Sequence, residues 1–195
     1  MIKRAFIIHG WDSHPGEGWL PWLKHELEAC DFRVSVPAMP DPRHPAIDKW
    51  VSRIQMEVGS PDDHTFLIGH SIGAQAILRY LQTLGDAERI GGAVLVAGWV
   101  TLTPAAYEQE GDKETAKPWL ETPIDWEKVK AHTASFTALF SDNDPFVPIA
   151  DAKMFHQKLD AEIIIDHDKG HFSGSDGVIK LPSALEAVLK HAQPR

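Results

Sequence analysis

Six short apolar runs punctuate the chain, at positions 4–9, 32–36, 65–68, 93–97, 136–140 and 163–165. Several are apolar at consecutive rather than alternate positions. That is the pattern of strands buried on both faces, in a parallel sheet covered by helices. Between the runs, apolar residues recur every three or four positions, over 19–29, 46–58, 72–84, around 125–130, 148–159 and 181–190. Ile47, Val51, Ile54 and Val58 form one such face. Ile77, Tyr80, Leu81 and Leu84 form another, with Gly85 as its expected stop, and Leu185, Val188 and Leu189 a third. Strand–helix alternation with right-handed crossovers predicts an α/β fold, a three-layer sandwich. The least regular stretch, 98–123, is rich in Thr, Glu and Pro. It reads as a small flap, too short for a separate cap domain, inside a single domain covering 1–195.

Composition narrows the function classes. The chain has 195 residues and a formal net charge of −9, which argues against nucleic acid as its partner. With one cysteine, Cys30, no intrachain disulfide is possible, and a reducing compartment is expected. Cys30 itself reads as a small buried residue at a helix end. The opening "MIKRAFIIHG" looks like a first strand rather than a signal peptide, and no apolar run approaches membrane-spanning length. The expectation is a cytoplasmic protein with no membrane partner. Oligomeric state is not legible.

The candidate chemistry centres on Gly69-His70-Ser71-Ile72-Gly73, which fits G-x-S-x-G. This motif raises a serine on a sharp turn between a strand and a helix, where only small residues fit two places either side. It occurs by chance roughly once in twenty chains of this length. Here it falls directly after "TFLI" and directly before an amphipathic helical pattern, the context it requires. A serine nucleophile needs a base, and the base an orienting acid, in the order Ser, acid, His, each past the carboxyl end of a strand. "SDNDPFVP" offers Asp142 and Asp144. We choose Asp144, because Pro145 and Pro148 fix its loop, and read Asp142 as a local turn residue. "DHDKGHF" offers His167 and His171. We choose His171, whose Gly170 allows a tight return, and read His167 as a solvated loop histidine.

Backbone N–H groups of Ile72 and Trp11 are the candidate donors to a developing oxyanion, with Asp12 as the alternative to Trp11. His9, Gly10, His70, Trp99 and Trp119 are candidates for the substrate pocket, and several large rings there favour an apolar acyl group. Trp19, Trp22, Trp50 and Trp126 fall on helical segments and read as packing. A metal site built from His167 and His171 is disfavoured, because the intervening glycine and loop-like setting do not present two ligands on one helix face. No metal or cofactor is expected, and a small ester or amide is the expected partner.

Together these residues resemble the α/β-hydrolase superfamily. More narrowly, "IIHGW", "PAMPDPRHPAIDKW", "GHSIGAQ", "SDNDPFVP" and "KGHF" are similar to small serine hydrolases of the retinoblastoma-binding-protein-9-like or YdeN-like group. The resemblance implies a compact hydrolase fold with a six-stranded, mainly parallel sheet in the order 2-1-3-4-5-6 and no large cap. It also implies a triad of Ser71, Asp144 and His171, and esterase-like or peptidase-like activity. An acyltransferase using the same triad, or a binding protein with a weak site, are the competing expectations.

Overall fold

The computed structural model describes residues 2–107 and 109–193. Strands β1 (Lys3–Ile8), β2 (Phe32–Ser35), β3 (Thr65–His70), β4 (Gly92–Val96), β5 (Phe136–Ser141) and β6 (Glu162–Asp166) form one sheet. Its order is β2-β1-β3-β4-β5-β6, with every neighbouring pair parallel. The chain reverses direction across the sheet after β2, when it crosses to β3 on the other side of β1. That reversal opens a crevice above the carboxyl ends of β1 and β3.

Helices α1 (Leu20–Ala29) and α7 (Pro182–His191) cover one face, while α2 (Ile47–Val58), α3 (Ile72–Leu81), α5 (Trp126–Ala131) and α6 (Asp151–Leu159) cover the other. Consecutive strand residues serve opposite cores. Ile7 packs with Leu23 and Val188, and Ile8 with Ile54 and Ile77. Both isoleucines are fully buried, which is why the apolar runs are unbroken. Among the described residues, no helix is long and apolar enough to cross a membrane.

Four expectations are corrected. The 98–123 stretch is not all loop, for it holds a 3-10 turn at Pro104–Ala106 and a helix, α4, over Asp112–Glu121. Helix α4 buries only Ala116 and Trp119 and carries Pro118 inside it, so it shows neither an apolar stripe nor an uninterrupted helical pattern. Helix α3 ends at Leu81, and Gly85 lies in the turn beyond it, its N–H donated to Glu88. Helix α6 starts three residues after Pro148. Cys30 is exposed. The buried stripe Leu20, Leu23, Leu27 would include it if α1 continued, but the helix stops at Ala29 and the chain turns through Asp31 at φ 63°.

Candidate active site

Ser71 sits between β3 and α3 at φ 53°, ψ −118°, a conformation that costs a non-glycine residue on the order of 1–3 kcal/mol. Its N–H donates to the Val96 carbonyl of the adjacent strand at 2.8 Å, which holds the turn down. The crossing is tight. A Cβ on Gly73 would lie 2.4 Å from the Ile8 carbonyl oxygen and 2.7 Å from that of His9. The glycine therefore lets the first turn of α3 rest on the end of β1.

His171 reaches back over the serine from the loop after β6. Gly170 at φ 53° and Phe172 at φ 57° turn the chain on either side of it. The ring's Nε2 lies 2.9 Å from Ser71 Oγ, and its Nδ1 lies 2.8 Å from Asp144 Oδ2. A carboxylate only accepts, so Nδ1–H donates to Asp144 and Nε2 presents a lone pair to the Ser71 hydroxyl. The other oxygen of Asp144 accepts the N–H groups of Phe146 at 2.8 Å and Val147 at 3.0 Å. The Asp144 side chain is only 2% exposed, so water competes little for these bonds. Phe146 stands edge-on to the imidazole, with ring centroids 5.2 Å apart.

The acid loop and the base loop are joined by more than this pair. Ser141 Oγ accepts the Lys169 N–H at 3.0 Å, Asp142 Oδ1 that of Asp168 at 3.0 Å, and Asn143 Oδ1 that of Gly170 at 2.8 Å. Asp176 accepts the N–H of His171 itself at 2.9 Å. Asp142 is therefore a cross-loop acceptor as well as a turn residue. Its second oxygen lies 2.6 Å from His167 Nδ1 on the surface. That hydrogen bond lowers the Asp142 carboxyl below its ordinary range and raises the His167 imidazole above its own. Two acid–histidine pairs thus stand side by side, and Ser71 contacts only the inner one. Among the described residues, no group of three or more His, Cys, Asp or Glu side chains is disposed to hold a metal ion.

His70 supports His171 from below. Its Nε2–H donates to the His171 carbonyl at 2.7 Å. Burial, and secondarily the neighbouring His171, push the His70 imidazole down to about 3, so it stays neutral at any ordinary pH. Its other face lines the cavity over Ser71.

The Ile72 N–H, at the first position of α3, has no intrahelical acceptor by geometry. Across from it, the loop after β1 comes close enough that a Cβ on Gly10 would lie 3.6 Å from Ser71 Cβ. The Trp11 N–H has no protein acceptor among the described residues. The Asp12 N–H is donated to the Pro42 carbonyl at 2.8 Å, which removes it as the alternative donor.

A cavity of about 280 Å³ opens over Ser71 and His171. Trp11, Trp99, Leu102, Ala105, Ala106 and Phe146 form the apolar part of its wall, and Gly10 and His70 also line it. His9 and Trp119 do not, contrary to expectation. His9 is 1% exposed and lies behind the loop: Nδ1–H donates to the Gly10 carbonyl at 2.9 Å, and Nε2 accepts the Met39 N–H at 3.0 Å. Trp119 packs edge-on against Trp50 and donates its indole N–H to the Pro45 carbonyl at 2.9 Å. The reason is common to several tryptophans. Residues 37–46 hold four prolines, which donate no N–H and leave carbonyls to be satisfied from elsewhere. Trp11, Trp50 and Trp119 supply indole donors to Arg43, Pro40 and Pro45 of this strap.

A protein-family model described as serine hydrolase matches residues 5–190. The chain is 27% identical over 191 residues to the putative hydrolase YdeN of Bacillus subtilis, covering 98% of this chain and 97% of that protein. It is 29% identical over 160 residues to the rat serine hydrolase RBBP9, covering 82% of this chain and 80% of that one. The crystal structure of the B. subtilis ydeN gene product superposes with a TM-score of 0.88 at 26% identity, over 97% and 98% of the two chains. Est1E from Butyrivibrio proteoclasticus shares the fold, with a TM-score of 0.73 at 15% identity, over 97% of this chain and 88% of that one.

Proposed function

The chain belongs to the serine hydrolase family, and from that premise we propose that it cleaves an ester or amide bond of a small, uncharged acyl substrate through a covalent intermediate on Ser71. The observation that carries this reading is the unbroken relay in which His171 Nε2 is 2.9 Å from Ser71 Oγ and Nδ1 is 2.8 Å from Asp144.

In the proposed sequence, His171 takes the Ser71 proton as Oγ attacks the substrate carbonyl. Asp144 holds the ring in the tautomer that makes Nε2 the base, and stabilises the imidazolium that forms. The Ile72 and Trp11 N–H groups receive the negative oxygen of the tetrahedral intermediate, where one such donor is worth about 3 kcal/mol. The C–O or C–N bond then breaks. The leaving group takes the proton from His171, and the acyl group stays on Ser71. Water, losing a proton to the same Nε2, attacks the acyl-enzyme and releases the acid, and Ser71 regains its proton.

The cavity supports a short, neutral acyl group. At about 280 Å³ it lies at the small end of ligand pockets. Its polar wall holds three carboxylates, Asp12, Glu17 and Asp112, against one guanidinium, Arg43, so the field disfavours an anionic substrate. The test is a series of p-nitrophenyl esters. The butyrate is expected to be turned over with kcat/KM about tenfold above the hemisuccinate, the effect of roughly 1.4 kcal/mol of repulsion. The palmitate is expected to be poorer still. The Ser71→Ala variant is expected to lose on the order of 10⁶-fold in kcat. Preference for the hemisuccinate, or turnover retained without the hydroxyl, would contradict the reading.

A further inference from the structure

We propose that Arg43 is a positioning residue that ties the flap to the loop carrying the Trp11 N–H, so that the oxyanion site is fully formed only when the flap is seated. This rests on the proposed function above. Four contacts carry it. The Arg43 carbonyl accepts the Trp11 indole N–H at 2.9 Å, and its Nη1 donates to Asp12 Oδ2 at 3.0 Å. Its Nη2 donates to the side-chain carbonyl of Gln109 in the flap and lies 3.9 Å from Asp112 Oδ1 at the start of α4. Gln109 and Asp112 are themselves joined, the Gln109 N–H donating to Asp112 Oδ2 at 2.8 Å. One planar guanidinium therefore holds both sides of the cavity mouth.

The chemistry suits arginine. Its fork offers several N–H donors in one rigid plane, so it grips a carboxylate on one edge and an amide on the other. A lysine has one ammonium and cannot span both in fixed geometry. The guanidinium is a third exposed and Asp12 about half exposed, so the pair contributes little to global stability. Its consequence is geometric. Residues 10–12 carry the proposed second donor, and their other tether, Asp12 N–H to the Pro42 carbonyl, belongs to the same strap.

The experiment compares wild type with Arg43→Ala, Arg43→Lys, Gln109→Ala and the Arg43→Ala/Gln109→Ala double variant on p-nitrophenyl butyrate. Each is also scored for melting temperature and for labelling by a fluorophosphonate. Arg43→Ala is expected to lower kcat about 10-fold, short of the roughly 100-fold or more for outright loss of an oxyanion donor, with KM within about 2-fold. Its melting temperature is expected to stay within about 3 °C of wild type. Arg43→Lys recovers less than half of the loss. Gln109→Ala lowers kcat about 3-fold alone and adds nothing once Arg43 is gone, because the two act through one tie. Arg43 also lines the cavity, so a rise in KM at unchanged kcat would mean that it acts only as pocket wall and would overturn the inference. So would fully additive effects of the two substitutions. Failure of wild type itself to label at Ser71 would instead remove the hydrolase mechanism, and this proposal with it.

Discussion

Asp144→Asn is expected to lower kcat on an ester substrate on the order of 10⁴-fold with little change in the folded structure, the size of effect that follows when a triad imidazole is held in the wrong tautomer. The direction follows from the hydrogen bonds around the carboxylate. One oxygen accepts the Phe146 and Val147 N–H groups, so an asparagine there must keep its carbonyl oxygen on that side. Its NH₂ then faces His171 Nδ1, which is forced to accept. The ring proton moves to Nε2, and the atom 2.9 Å from Ser71 Oγ no longer has a lone pair to take the hydroxyl proton. Asp142→Asn is the matched control. Asp142 meets His167 on the surface, not His171, and its loss is expected to change kcat by no more than about 3-fold, the range of a displaced loop contact. Steady-state kinetics of the two variants decide the assignment. A larger loss at Asp142 than at Asp144 would reverse it.

Gly73→Ala is expected to disrupt both stability and labelling. The added methyl would meet two backbone carbonyl oxygens, at 2.4 Å and 2.7 Å, and neither is the end of a flexible side chain. Helix α3 must lift away from β1, or β1 must bend. Either movement disturbs the Ser71 turn and the loop after Ile8 together. Overpacking of this kind costs about 3 kcal/mol, which for a domain of this size lowers the melting temperature by roughly 6–12 °C. Thermal denaturation and fluorophosphonate labelling measure the two effects. A wild-type melting curve with wild-type labelling would mean that α3 does not rest on β1 in this way.

The legible part of the fold came from burial on both faces. Unbroken apolar runs such as "FIIH" and "AVLVA" betray strands between two layers of helices, and the helical stripes of α2 and α7 are wide enough to read. Helix α4 was not legible, because it buries two side chains and contains a proline. Cys30 misled because a small thiol is usually buried, whereas at the C-cap of α1 it lies past the last buried residue of the stripe, Leu27, and is exposed.

The candidate site was legible to a different depth at each residue. Ser71 announces itself by two glycines, Gly73 where α3 rests on the end of β1 and Gly69 where β3 passes the first turn of α3. The acid and the base each came as two neighbouring choices in one short loop. Local sequence holds both pairs; Pro145, Pro148 and Gly170 pointed to Asp144 and His171, and the path of the chain through Gly170 and Phe172 brings that pair to Ser71. The tryptophans were ambiguous for a physical reason. A proline-rich strap beside the site needs indole donors, and a substrate pocket needs rings. Trp99 and Trp11 line the cavity, Trp119 ties the strap, and Trp11 does both. Arg43 and Asn143 left no signal, since the contacts that matter, Arg43 to Asp12 and Gln109 and Asn143 to the Gly170 N–H, are distant in sequence and a lone charged or amide residue in a loop is ordinary.

The most direct measurement is mass spectrometry of the protein after treatment with a fluorophosphonate. One phosphonyl group per chain, on the peptide containing Ser71 and absent from Ser71→Ala, is the result expected of an activated serine on this turn. A modification that maps to another residue, or that persists at the same rate when Ser71 is alanine, would contradict the account.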